Sequence, residues 1–275
     1  MNKVFNVVNL HITEKCNYQC TYCYAVFKND EELQLDAWKV VVDNVSHYFK
    51  SNGIRGRINL AGGEPTIVKF LDELIDYIYS KGMDVSIITN ASRLTKELVD
   101  KWYGKVTMIG VSIDSLNHDI NLKIGRKQGH HTLDYQQLKE VLLYIKSRGI
   151  MLKVNTVISR LNIEEDITKL YNEVGFDRIK LLQVRIQENC NEDASVTEIY
   201  SSEFDQYISK VLSKTQSKII IETADSIESS YVIIDPKGNL ISNSEQIYRR
   251  VGNVLKENLN HIITKANFDI NKLNS

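Results

Sequence analysis

Three of the four cysteines in this 275-residue chain, Cys16, Cys20 and Cys23, fall in the run Cys-Asn-Tyr-Gln-Cys-Thr-Tyr-Cys-Tyr, and the fourth, Cys190, stands alone. Disulfides between thiols so close in sequence would constrain almost nothing, whereas clustered thiols in a reducing compartment bind metal. Three thiolates on one loop can ligate three corners of a cubane iron-sulfur cluster and leave the fourth iron open to a small molecule. Zinc is the competing chemistry. A closed zinc site wants four ligands in paired spacings, and no second Cys-x-x-Cys or His-x-x-x-His pair follows, so zinc would have to recruit His11 or Cys190.

Two further features could meet a ligand. Gly62-Gly63-Glu64-Pro65 combines glycines that let backbone come close to a ligand with a carboxylate and carbonyls that can accept hydrogen bonds from an ammonium group; alone, it is also an ordinary turn. The second feature is basic residues inside apolar strands. Alternation puts Lys153 and Asn155 on one face of Met151-Leu152-Lys153-Val154-Asn155-Thr156, with Leu152 and Val154 on the other, and Arg178 and Lys180 share a face of the following strand. With Arg57 at the start of an earlier strand, four cations could converge. Inward positive charge is costly unless something negative occupies the interior, and these cations suit a triphosphate in number and type. The alternative is that the long side chains snorkel past the strand ends into solvent.

The elements that must position these groups follow from hydrophobic periodicity. Apolar β-branched runs at 4–12, 57–61, 84–89, 106–113, 151–158 and 178–184 read as strands, with helices near 36–50, 67–81, 95–103, 134–148, 164–174 and 203–213. Gly53, Gly82 and Gly149 each end a helical stretch ahead of a strand. Six βα units predict an α/β fold, a partial (β/α)6 TIM-type barrel, with a doubly wound open sheet as the alternative; either puts chemistry at the carboxyl ends of the strands. After residue 214 short strands are expected at 218–222, 231–235 and 239–242. The domain reading is therefore a barrel over 1–214 and a C-terminal extension over 215–275 that caps the substrate site.

Composition bounds the partners. With 43% hydrophobic and 25% charged residues the chain is an ordinary globular one, and a net charge of -1 offers no long-range field for nucleic acid or acidic lipid. No apolar stretch approaches the length of a membrane span, and the first residues alternate like a strand rather than a signal peptide. The expectation is a cytoplasmic protein, monomeric, with no membrane association and no direct nucleic-acid binding.

The cysteine spacing, with aromatic Tyr22 before the third cysteine and Gly-Gly-Glu-Pro after the second strand, resembles that of the radical S-adenosylmethionine enzymes. The resemblance implies a 4Fe-4S cluster on Cys16, Cys20 and Cys23. It also implies S-adenosylmethionine held by Tyr22 (through its backbone, at the adenine), Gly62, Gly63, Glu64, Asn90, Ser112 and Arg126. In that family an electron from the cluster splits the sulfonium into methionine and a 5'-deoxyadenosyl radical that abstracts hydrogen. From residues alone, Asn90 and Ser112 could instead cap loops and Arg126 could be a solvated surface arginine.

A wider likeness runs through Ile124-Gly125-Arg126-Lys127-Gln128-Gly129, Lys153-Val154-Asn155-Thr156-Val157-Ile158, Glu188-Asn189-Cys190-Asn191-Glu192-Asp193, Asp225 and Ser230-Tyr231. Over nearly its whole length the chain resembles the viperins, in particular the prokaryotic ones. This implies removal of water from the ribose of a nucleoside triphosphate (CTP, UTP or GTP), begun by abstraction of the 4' hydrogen, to give a 3'-deoxy-3',4'-didehydro nucleotide that terminates viral transcripts. By the same likeness Asn9, Arg57, Lys153, Asn155, Arg178 and Lys180 would hold the triphosphate and Tyr231 would lie near the sugar, with Arg249 and Arg250 adding contacts from the tail. An unidentified electron donor would also be required. Ala61 and Arg57 depart from the serine and lysine of animal viperins, and the amphipathic helix that begins the animal proteins has no counterpart here. The alternatives are a radical enzyme acting on a protein or peptide, although peptide-modifying relatives commonly carry extra C-terminal cysteines and none follows Cys190, and a zinc-binding scaffold without catalysis.

Overall fold

The computed structural model describes residues 4–24, 31–187, 190–242, 247–266 and 268–269. Ten strands form one sheet: β1 (Val7–His11), β2 (Arg57–Ala61), β3 (Asp84–Thr89), β4 (Val106–Ser112), β5 (Met151–Ile158), β6 (Arg178–Gln183), β7 (Ile219–Glu222), β8 (Ile233–Ile234), β9 (Asn239–Ser242) and β10 (Arg249–Asn253). Their order is β10-β9-β8-β1-β2-β3-β4-β5-β6-β7. From β1 to β7 every pairing is parallel and every neighbour is the next strand in sequence. A doubly wound sheet reverses its order partway, and this one does not, so the incomplete barrel is the observed architecture.

Helices α1 (Leu35–Ser51), α2 (Leu71–Ser80), α3 (Lys96–Trp102), α4 (His118–Ile124), α5 (Tyr135–Ser147), α6 (Thr168–Val174), α7 (Ser201–Leu212) and α8 (Leu259–Lys265) complete the chain. The amphipathic stripes bury Trp38, Val41, Val45 and Phe49 from α1, and Leu71, Leu74, Ile75 and Ile78 from α2. The strands divide their two faces accordingly. In β2 Ile58 and Leu60 are fully buried while Arg57, Asn59 and Ala61 keep partial exposure, and in β5 Leu152, Val154, Thr156 and Ile158 are buried while Lys153, Asn155 and Val157 face the open interior.

The tail joins the sheet at both edges: β7 pairs parallel with β6, and β8 pairs parallel with β1 before β9 and β10 continue antiparallel. Among the described residues the structure adds four elements that periodicity did not suggest: α4, α8, β10 and a 3-10 helix at Glu192–Thr197. Both α4 and α8 are short, seven residues each, and β10 begins with two arginines rather than an apolar run.

Candidate active site

The cysteine loop leaves the carboxyl end of β1 and is braced from three directions. The first brace is the turn after β2, where the Gly63 N–H donates to Thr13 O (2.7 Å) and the Glu64 N–H to Lys15 O (2.9 Å). A Cβ on Gly62, which has φ 134°, would sit 2.3 Å from Thr13 O, and one on Gly63 only 2.1 Å from Lys15 O. The backbone these glycines admit is the chain's own, the segment that leads into Cys16.

Glu64, fully buried, is the second brace. Its Oε1 accepts from the Thr66 N–H (3.0 Å), Thr66 Oγ1 (2.6 Å) and Thr89 Oγ1 (2.7 Å), and its Oε2 from the Asn90 N–H (2.6 Å). Asn90 passes this order on. Its amide donates to Asn17 Oδ1 (2.9 Å) and approaches Cys16 Sγ (3.7 Å), and its Oδ1 accepts from the Ser92 N–H (2.9 Å), so it caps a loop and touches the cysteine loop at once.

The third brace is the end of α4. The N–H groups of Gln19 and Thr21 donate to Gly125 O (3.1 Å) and Ile124 O (2.8 Å), and a Cβ on Gly125 would lie 2.0 Å from Gln19 O. Arg126, next in sequence, is buried and not a solvated surface residue. Its Nε and the Tyr22 hydroxyl both donate to Asp114 Oδ2. The Tyr22 carbonyl, expected to face adenine, accepts from Asn191 Nδ2 (2.9 Å) and keeps one further lone pair. Ser112 and Arg126 line one small cleft together with Tyr18 and Asn121.

Among the described residues no three His, Cys, Asp or Glu side chains converge on a point that could hold one metal ion. A zinc ion needs that convergence, whereas in a cubane each thiolate binds a different iron. His11, a candidate fourth zinc ligand, has a buried ring whose pKa burial lowers to about 4, against a weaker upward pull from Asp235, and its Nδ1 has no partner. Burial raises the Cys16 thiol and pushes Cys20 up to about 12, so taking these two as thiolate ligands would release protons. The donor set, three thiols on one braced loop, fits a 4Fe-4S cluster.

Across the mouth lie the strand cations. Register sets Lys153 beside Arg178 and Asn155 beside Lys180. Burial holds the Lys153 ammonium down to about 7, with the Lys180, Arg57 and Arg178 charges lowering it further and Glu222 opposing them. Arg57 is likewise lowered by burial and then by Arg178. The register and the lowering of Lys153 and Arg57 by neighbouring cations agree with side chains that share one face of the sheet. Two atoms here, Arg57 Nε and Asn155 Oδ1, are buried without a hydrogen-bond partner, as expected where a ligand is to supply one. Asn9, by contrast, is engaged within the chain: its Nδ2 donates to Val232 O (3.1 Å) and its Oδ1 accepts from Asn59 Nδ2 (2.7 Å), with Ser86 Oγ donating to Asn59 Oδ1 (2.9 Å).

Tyr231, from the tail, reaches the same place. Lys180 Nζ donates to Tyr231 Oη (2.6 Å) and to Glu222, and the Tyr231 hydroxyl donates to the Glu222 carboxylate (2.6 Å). Burial, followed by the Glu222 charge, raises the Tyr231 phenol well above its usual value. Tyr24, beside Cys23, stacks on Tyr248 of the tail at 5.9 Å. Arg250 instead donates from Nε to Asp235 Oδ2 (3.2 Å). Glu188 and Asn189 lie outside the described residues. Sequence reasoning missed Asp114 and Glu222; each is an acidic residue at or just past the carboxyl end of a strand, which was the available signal.

The sequence matches the family described as Radical SAM superfamily over residues 10–174. It is 32% identical over 269 residues to the S-adenosylmethionine-dependent nucleotide dehydratase of Selenomonas ruminantium, covering 95% of both chains. It is 28% identical to the protein of that name from Danio rerio, covering 83% of this chain and 64% of the other. Among solved structures, Streptococcus suis SuiB bound to S-adenosylmethionine superposes with a TM-score of 0.71 at 14% identity, over 95% of this chain and 66% of that one, a likeness of fold alone. The chain therefore belongs to the radical SAM superfamily and, within it, to the family of S-adenosylmethionine-dependent nucleotide dehydratases.

Proposed function

We propose that this protein is a radical enzyme that removes water from the ribose of a ribonucleoside triphosphate, giving a 3'-deoxy-3',4'-didehydro nucleotide. The observation that carries this reading is an excess of positive charge on neighbouring strands: Lys153 lies beside Arg178 in the register, and the Lys180, Arg57 and Arg178 charges all lower the Lys153 ammonium. The nearby carboxylates are already engaged, Glu222 with Lys180 and Asp84 with Arg55 at 2.7 Å. A polyanion would relieve that excess, and the names of the relatives agree.

A 4Fe-4S cluster on Cys16, Cys20 and Cys23, with S-adenosylmethionine beside it, would supply the 5'-deoxyadenosyl radical that takes the 4' hydrogen. The protein's own residues do the rest. Gly62, Gly63 and Glu64 hold the loop that carries the thiols, and the methionine end would lie along Asn90, Ser112 and Arg126. Asn155 and the four cations would fix the phosphates, with Asn9 ordering the floor between β1 and β2. Tyr231, placed between Lys180 and Glu222, would face the sugar. Its hydroxyl is a proton-bearing group at that end of the cation cluster; once the 4' hydrogen atom is gone, loss of the 3' hydroxide as water needs one proton, and closing the sugar radical to the didehydro product needs one electron from the external donor. The tail over 215–275 would cap the nucleotide and exclude water.

In this reading the protein is a cytoplasmic monomer served by a separate electron donor, and its product, formed from CTP, UTP or GTP, ends viral RNA chains in antiviral defence. No helix of the described residues is long and apolar enough to cross a membrane. The test is anaerobic reconstitution with iron and sulfide, then incubation with S-adenosylmethionine, dithionite and each ribonucleoside triphosphate. The expected result is 5'-deoxyadenosine together with a nucleotide lighter by one water for at least one of them. If 5'-deoxyadenosine never rises above the control lacking nucleotide, the assignment is wrong.

A further inference from the structure

Asp114 is an enclosed acidic group next to the mouth, with no exposed side-chain surface, and none of the steps above uses it. Its two oxygens hold different parts of the protein. Oδ1 accepts from the Val157 N–H (2.8 Å), which pins the carboxylate to β5, the strand that carries Lys153 and Asn155. Oδ2 accepts from the Tyr22 hydroxyl and from Arg126 Nε. Its own carbonyl accepts from Asn162 Nδ2 (2.7 Å), and the same amide nitrogen donates to Val157 O (2.9 Å), so the bracket is itself braced.

Arg126 meets Asp114 through Nε, which leaves the terminal guanidinium nitrogens as the groups that can turn to a ligand in the cleft shared with Ser112. A guanidinium held at one edge is pre-aimed at the other, and a buried arginine deprived of its counterion would be both misplaced and costly. Tyr22 lies between Cys20 and Cys23, so tying down its hydroxyl also fixes the backbone between two thiols.

We propose that Asp114 is a positioning residue for S-adenosylmethionine: it aims Arg126 at the methionine carboxylate and, through Tyr22 and Val157, locks the cofactor side of the mouth to the strand that would hold the nucleotide. This inference rests on the proposed function and names the residue on which its cofactor geometry depends. Asn is the discriminating replacement. Asp114→Asn keeps an acceptor for the Val157 N–H, yet turns an NH2 group toward two donors, Tyr22 and Arg126.

The test uses reconstituted holoenzyme well below its melting temperature. Equilibrium binding of S-adenosylmethionine and of nucleoside triphosphate is measured separately, with iron content and the paramagnetic resonance of the reduced centre as further readouts. Asp114→Asn is expected to bind S-adenosylmethionine about tenfold or more weakly, with nucleotide affinity and iron content near wild type and a smaller spectral change on adding the cofactor. Tyr22→Phe, which removes one hydroxyl and should fold, is expected to show the same pattern at a few-fold.

Should both variants bind S-adenosylmethionine as wild type does, or lose both ligands in equal proportion, the positioning role is overturned. If Asp114→Asn does not fold, Tyr22→Phe and Arg126→Lys decide by the same criterion. Wild-type protein that loads iron but does not bind S-adenosylmethionine would instead overturn the functional reading beneath the proposal.

Discussion

On the cysteine side of the barrel mouth the polar groups answer one another, whereas the side facing β5 and β6 carries more positive charge than the chain neutralises. Glu64 accepts four hydrogen bonds, Asn90 links it to the loop, and Asp114 pairs with Arg126. Opposite them, Lys153 has its ammonium lowered to about 7, and Arg57 Nε and Asn155 Oδ1 are buried without partners. In the first region the chain's own polar groups satisfy one another. The second holds cations and unpartnered polar atoms, which in the proposed function an anionic substrate would engage. Substitutions in the scaffold should therefore cost stability and cofactor loading together, while substitutions among the cations should trade affinity against stability.

The largest effect is expected in the scaffold. Gly63→Ala puts a Cβ 2.1 Å from Lys15 O and 2.7 Å from Glu14 O, both backbone atoms that cannot move without moving the cysteine loop. It should cost about 3 kcal/mol of unfolding free energy and abolish iron loading, read by denaturant titration and iron analysis. An alanine variant that loads iron normally would remove the scaffold half of the contrast.

Lys153→Met should act with opposite signs on the two observables. Losing a buried partner of the phosphates should weaken triphosphate binding by about 2–5 kcal/mol. Relieving like-charge burial should stabilise the ligand-free protein by about 1 kcal/mol. Calorimetric binding and thermal melting measure the pair, and a variant less stable than wild type would contradict the idea of stored electrostatic cost.

A pH series sharpens the same point. Lysine in the unfolded chain titrates near about 10.4, and Lys153 in the folded protein near about 7. Between these values the unfolded chain binds the extra proton, so this group makes stability rise with pH across that window. Triphosphate binding should go the other way, weakening as pH climbs through about 7 and taking up a proton above it, measurable in buffers of different ionisation enthalpy. Both trends should vanish in Lys153→Met.

The smallest effect is expected at Glu222→Gln. Removing a negative charge beside the cations should tighten triphosphate binding by about fivefold while loosening the Tyr231 contact. Weaker triphosphate binding would mean that Glu222 helps to hold the nucleotide.

Much of this was legible in the sequence because it rests on short periods. Alternation alone put Lys153 and Asn155 on one face of their strand, opposite Leu152 and Val154, and three cysteines after a strand marked the candidate cofactor loop. What escaped was long-range pairing. That Asp114 would bind Tyr22 and Arg126, or Glu222 bind Lys180, depends on which loop ends meet at the barrel mouth, and no local pattern encodes that. The same reason hid the tail's division between the two edges of the sheet: β7 and β8 lie close in sequence yet pair with β6 and β1 respectively. The Gly62-Gly63 pair was recognised, but the object it lets in turned out to be the chain's own Thr13–Lys15 backbone.

The central claim is that the radical chemistry of one half of the mouth is directed at a sugar held by the other half. Nucleoside triphosphate carrying deuterium at the 4' carbon tests it most directly, with mass spectrometry of the 5'-deoxyadenosine formed. One deuterium transferred per 5'-deoxyadenosine, with a dehydrated nucleotide that has lost the label, is the predicted result. Unlabelled 5'-deoxyadenosine accompanying nucleotide turnover would contradict the account.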